Sequence, residues 1–230
     1  ASYGNYFVIV KERVLIDELD VKDTDRASSW SVKTNLQEGD VQYGDRTFTL
    51  TYVPPIVAGC DWISPANASK GYTQSPVATF KVTADSYVYV AYHNDIDASI
   101  RWITPEWEDT DEDIINSEGT PQVYSLYRKY FPKGATVTLG PNGTTDKGNY
   151  FVIVKEFEKI EIDQVNDISL GIGENVSIDL NSNVTGVAID AVYNSDVAEI
   201  TVNGDNLIIT GIGAGMTDVV VTVSHEDYVS

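Results

Sequence analysis

Two stretches, "YVYVAY" at 87–92 and "NYFVIV" at 149–154, are apolar on both faces of an extended chain. Successive strand residues point to opposite sides, so a run without a polar face belongs between two layers, centrally in a sheet. Around them stand runs of β-branched and aromatic residues bounded by Gly, Pro, Asn and Asp, and helix signals are nearly absent. "RTFTLTYVP" sets Phe48, Leu50 and Tyr52 on one face and Thr47, Thr49 and Thr51 on the other. "ATFKVTADSYVYVAY" reads as a hairpin about residues 83–85, and "TPQVYSLYRKYFPKGATVTLG" as another about residues 132–134. Many short strands joined by polar turns predict an all-β chain, an antiparallel, jelly-roll-like β-sandwich in its larger part. The stretch 104–121, "TPEWEDTDEDIINSEGTP", lacks strand periodicity and is expected to be a long acidic surface loop.

The texture changes near residue 157. Residues 1–156 hold 14 Lys and Arg against 22 Asp and Glu, whereas 157–230 hold one base, Lys159, against 13 acids. Seven or so strand-length runs fill this last part, among them "ITVNGDNLII", where Asn203-Gly204 between apolar arms signals a hairpin. That spacing predicts an Ig-like sandwich.

The nine residues "GNYFVIVKE" occur twice, at 4–12 and at 148–156. Identity over nine positions implies duplication, and the period is too long for a solenoid unit, so whole modules in tandem are expected. Residues 1–12 are then the closing strand of a preceding module, 13–156 a second module and 157–230 the Ig-like one. Nine mostly apolar residues do not stay ordered alone in water, so 3–11 is expected to dock on a sheet edge.

Two resemblances rest on these segments. "GENVSIDL", "YNSDVAEIT" and "ITGIGAGMTDVVVTVS" resemble a bacterial Ig-like group 2 domain, which implies a spacer or adhesive module of secreted and surface proteins. "YGDRTFTLTYVP", "GCDWISPANASKGYT", "ATFKVTADSYVYVAYHNDI", "WEDTDEDI", "GTPQVYSLYRKYFPKGATVTLG" and "GNYFVIVK" together resemble an accessory β-sandwich module of secreted bacterial polysaccharide-degrading enzymes, notably pectate and rhamnogalacturonan lyases. The resemblance implies a carbohydrate-associated module that is not itself catalytic, outside the cell or on its surface. Where such modules tend to have Asp and then Asp-Arg after "VAY", this chain has His93, Asn94 and Asp95.

Sugar-binding modules lay the C–H face of a pyranose on an aromatic ring and bond its hydroxyls with polar groups. Trp62, Trp102 and Trp107 have polar flanks, and Arg101, Asp61 and Asn94 lie beside them as polar partners. Each tryptophan is either a stacking surface or core under a loop. Tyr87 and Tyr89 share one strand face, as a ligand platform or, more commonly, beneath a second layer. Asp109, Asp111 and Asp113 alternate as a hard-cation site would require, but Ile114 and Thr120 stand where an EF-hand needs Gly and Glu. That leaves a solvated acidic loop or a structural Ca²⁺ of another geometry; no cofactor is required.

Neither His93 nor His225 sits in a nucleophile setting, and acids are too abundant for any carboxylate pair to be diagnostic. The lone Cys60 excludes an internal disulfide and reads as a small apolar residue. A net charge of −20 disfavours nucleic acid, and no apolar run is long enough to insert in a membrane. The partners expected are a plant or cell-wall polysaccharide, neutral rather than polyuronate, and neighbouring modules of the same polypeptide, the chain being monomeric. The rival reading is a structural spacer or adhesive module without a sugar site.

Overall fold

The computed structural model describes residues 14–103, 105–157, 160–184 and 186–224. The chain divides into two compact units, Ala1–Phe157 and Glu158–Ser230. Among the described residues there is no α-helix. The first copy of the repeat, with its expected docked strand, lies outside the described residues.

The first unit is an antiparallel β-sandwich. Its strands are β1 (Ile16–Val21), β2 (Ser31–Lys33), β3 (Leu50–Tyr52), β4 (Asp61–Ser64), β5 (Ala78–Val82), β6 (Ser86–His93), β7 (Glu108–Asn116), β8 (Gln122–Phe131), β9 (Thr136–Leu139) and β10 (Phe151–Glu156). β1, β5 and β9 form a small sheet in the order β1-β5-β9, and the other seven form a large one in the order β2-β4-β10-β6-β8-β7-β3. The two runs that are apolar on both faces, β6 and β10, are neighbours at its centre. Val88, Val90, Val152 and Val154 point into the core that also holds Phe80 and Val137 of the small sheet. Tyr89, Ala91, Phe151 and Ile153 point the other way, into a second core closed by Leu36, Leu50, Val53 and Val57. Parts of the 34–60 segment on either side of β3 therefore cover that face, and the central strands are dry on both faces over Val88–Ala91 and Phe151–Val154.

Both expected hairpins of this unit are corners between sheets. β5 and β6 flank residues 83–85 but lie in different sheets, and so do β8 and β9 about residues 132–135. The two corners lock together: Val82 N donates to Ala135 O at 3.1 Å, Gly134 N to Val82 O at 2.8 Å, and Lys133 N to an Asp85 carboxylate oxygen at 2.8 Å. The physical reason is a mismatch of faces. β5 buries alternate residues only, whereas β6 is buried on both sides, so the two arms cannot share one sheet environment.

The acidic stretch is not a loop over its whole length, since β7 runs through it and pairs with β8 from Glu108↔Arg128 to Asn116↔Gln122. Ile114 and Ile115 supply the pairing that its polar half does not advertise. A bulge between Asp109 and Asp113 takes up the misfit, with Asp111 at φ 58°, a backbone region that Asp tolerates. A further irregularity falls between Leu50 and Tyr52, so Tyr52 is exposed instead of joining Leu50 inside.

The second unit has β11 (Asn175–Asp179), β12 (Ala188–Val192), β13 (Ala198–Asn203), β14 (Asn206–Gly211) and β15 (Val220–Ser224). They form a three-stranded sheet, β11-β14-β13, and a two-stranded one, β12-β15, over a core of Leu180, Ala198, Leu207, Ile209 and Val223. Among the described residues there are five strands where about seven were expected, because those of 160–170 join no ladder; Asp163 N donates to Leu180 O at 2.9 Å. The β13–β14 hairpin forms, with Asn203↔Asn206 as its closing pair and Gly204-Asp205 as its two-residue loop. Gly204 alone of these two has a positive φ, 60°, as the first central residue of a type II′ turn does.

Candidate functional site

The large sheet places its side chains in rows across the strands. On the face that carries the second core, one row is Ile153, Tyr89, Arg128 and Glu108, contributed by β10, β6, β8 and β7. The next row toward the 83–85 corner is Lys155, Tyr87 and Tyr130. The covering layer thins here, with Ile56, Cys60 and Tyr87 at its partly buried rim. Beyond it the second row is open to solvent, and Tyr130 is 41% exposed.

The row is an aromatic cluster with charges at its sides. Tyr87 and Tyr130 meet edge-on at 6.2 Å, and Phe157 packs against them at 5.5 and 5.2 Å. The Arg128 guanidinium stands 4.9 Å from the centre of the Tyr87 ring and forks onto Glu108, Nε to Oε2 at 2.9 Å and Nη2 to Oε1 at 3.2 Å. The pair holds Glu108 below the usual carboxylate range and pushes the Arg128 pKa up, with the Tyr89 hydroxyl assisting. Among the described residues Lys155 has no ion-pair partner. The Cys60 thiol is pushed up to about 11 by burial, with the Lys155 charge pulling against that and Asp61 adding to it. This cysteine is inert filler at the rim.

The residues expected to contact sugar lie elsewhere and do not converge. Trp62 is wholly buried in the second core, edge-on to Phe151 at 6.1 Å and capped by the Lys33 ammonium 4.7 Å from its ring. No sugar can reach it. Asp61, on the opposite side of β4, is itself buried and accepts a hydrogen bond from Leu15 N at 2.6 Å.

Trp102 and Trp107 pack edge-on to each other at 5.5 Å and reach Tyr150 and Phe131. Trp107 is buried and Trp102 partly so. They roof the part of β8 that the small sheet leaves uncovered. The Arg101 guanidinium is spent on the same closure: Nη2 donates to Ile96 O at 2.6 Å, Nε to the same oxygen at 2.9 Å, and Nη1 to the Tyr127 hydroxyl at 2.6 Å. Asn94 is exposed, but its side-chain oxygen accepts from Ser125 N at 2.7 Å. Polar neighbours in sequence misled because these tryptophans lie beside turns while their rings fold inward. The signal for the open row was the tyrosine face of β6, and only its pairing with Tyr130 and Lys155 distinguishes it from ordinary core.

Asp109 and Asp113 of the acidic triplet are engaged separately. Asp109 accepts from Asp111 N at 3.0 Å, stabilising the bulge, and Asp113 accepts from the Ser125 hydroxyl at 2.8 Å. Among the described residues no three His, Cys, Asp or Glu side chains come together in a group able to hold a metal ion. Of the two alternatives for the triplet, the separate engagements of Asp109 on the backbone and Asp113 on Ser125 give no support to a structural Ca²⁺. His93 bonds Gln122 at 2.8 Å through Nε2 and accepts from Asp95 N through Nδ1, so both ring nitrogens are engaged.

No protein-family model matches this sequence, and no curated protein matches it either. A solved β-glucuronidase from glycoside hydrolase family 2 is similar in fold, with a TM-score of 0.56 and 18% identity over 65% of this chain. The likeness takes in 15% of that larger chain, and at this identity it concerns the fold.

Proposed function

We propose that the first unit is a non-catalytic, carbohydrate-contacting accessory module and the second an Ig-like spacer, within a larger extracellular or cell-surface polysaccharide-degrading protein. The observation that carries the reading is the open row Lys155, Tyr87 and Tyr130, flanked by Arg128 and Glu108. A pyranose C–H face has an exposed phenol ring to lie on, and the charged groups have hydroxyls to bond. The fold shared with part of a glycoside hydrolase supports a carbohydrate setting.

The carboxyls favour binding over catalysis. A glycosidase needs one acid with a raised pKa, yet Glu106 and Glu108, two acids of the 104–121 stretch, are both held low by hydrogen bonds from Lys129 and Arg128. A net charge of −20 favours neutral glucan, xylan or galactan over a polyuronate. One small open row makes for weak contact, which linked modules strengthen by raising effective concentration.

Affinity electrophoresis against these three glycans and polygalacturonate tests the reading. A retarded wild type and an unretarded Tyr130→Ala variant with unchanged melting are expected. The spacer reading, in which the first unit has no sugar site, is favoured by the burial of Trp62 and Trp107. Unretarded migration in every gel would establish it in place of binding, and turnover of any glycan would refute a non-catalytic role.

A further inference from the structure

The four most exposed large apolar side chains among the described residues are Met216, Ile172, Val192 and Val220, at 93, 71, 65 and 60%, and no other exceeds 45%. All four lie at one end of the second unit. Ile172 stands beside the junction where Gly173 N donates to Gly211 O and Gly211 N to Glu174 O, at the head of β11 and the tail of β14. Val192 ends β12 and pairs with Val220, the first residue of β15. Asn194 N donates to the Thr217 hydroxyl, which brings Met216 to the same loops. Ile212, also exposed, joins them, its N–H donating to Val197 O just before β13.

This end is built rather than frayed. A Cβ on Gly213 would lie 2.0 Å from Asp196 O, and one on Gly211 2.7 Å from Gly171 O. The "GIGAG" run of 211–215 is therefore pressed backbone to backbone on its neighbours, which fixes the loop that carries Ile212 and leads into Met216. The chain connections lie at the opposite end. There Glu161 N donates to Asn183 Oδ1 and Asp163 N to Leu180 O, and β15 reaches Ser224 opposite Ala188. No described segment of the second unit covers the apolar end.

Carboxylates stand among these side chains. Glu174 lies two residues from Ile172, Asp196 precedes Val197, and Asp218 falls between Met216 and Val220; all three are exposed, and none is in an ion pair among the described residues. Residues 160–224 contain no Lys or Arg. A second copy of the chain would bring like charge to the contact, and so would an anionic bilayer or a nucleic acid. Exposed apolar side chains call for a partner, and the field around them selects its sign.

We infer that this end of the second unit is a docking surface for a cationic polypeptide segment that sets apolar side chains between Lys or Arg residues. Ile172, Val192, Met216 and Val220 anchor the segment, and Glu174, Asp196 and Asp218 decide which segment is accepted. The unit is then more than a spacer, and the inference is independent of any glycan contact in the first unit.

Met216 is the one methionine of the chain, so methyl-¹³C methionine labelling of the full-length protein reads this end alone. The probe is a short peptide of Lys, Leu and Ser, with two controls, one carrying Glu in place of Lys and one Ser in place of Leu. Expected is a saturable shift of the methyl signal with the Lys–Leu peptide and none with either control. An Ile172→Thr, Val220→Thr double variant, with unchanged melting, should bind about tenfold more weakly. A signal unmoved at millimolar peptide, an equal shift with the Leu-free control, or unchanged affinity in the double variant would each overturn the inference. So would an equal shift with phosphatidylcholine vesicles, which would assign the surface to lipid, or a shift with protein concentration alone, which would assign it to a second copy.

Discussion

At the scale of the residue, burial separates the tryptophans from the role that their polar neighbours suggested. Trp62→Ala should cost about 3–5 kcal/mol as a large-to-small change in a closed core, read as a lower denaturant midpoint. A loss under about 1 kcal/mol would mean that the ring is not enclosed as it stands here. Cys60 offers a second check. With its pKa at about 11, its thiolate is scarce at pH 8, so reaction with a disulfide reagent should be far slower than for the unfolded chain. The raised value stabilises the fold below the thiol's ordinary pKa, and that stability is lost as pH rises toward 11; equal labelling rates for native and unfolded chain would contradict it. Cys60 read as a small apolar residue in the sequence, but the enclosure of Trp62 was not legible there, since "GCDWISP" looks polar while β4 is buried throughout its length.

At the scale of the element, alternation and two-faced apolarity identified the strands but not their partners. β6 and β10 were legible as central because no other place buries both faces. The corners at 83–85 and 132–135 were misread as hairpins because a short polar turn marks only a change of direction, not whether the next strand joins the same sheet. β7 was hidden because its outer half is acidic and its ladder is interrupted by a bulge. As that bulge is held by hydrogen bonds within the chain, added Ca²⁺ should leave the melting temperature unchanged; a rise would show a cation site that the separate carboxylates do not suggest.

At the scale of the whole molecule, the charge is the dominant long-range feature. A net charge of −20 repels itself across the folded surface, and salt shortens the range of that repulsion to about 10 Å at 0.1 M. Moderate NaCl should therefore raise the melting temperature, whereas a fall would mean that attractive pairs such as Arg128–Glu108 outweigh the repulsion. The all-β class and the change in texture near residue 157 were both readable from the chain, but the glycan surface proposed above was not. Its row is assembled from three strands, and no single segment reveals it. The most direct measurement is amide and indole NMR during titration with xylo- and gluco-oligosaccharides. The account predicts shifts at residues 86–89, 128–131 and 154–157 with the four indole signals unmoved. No shift at millimolar sugar, or shifts centred on Trp102, Trp107 and residues 94–103, would contradict it.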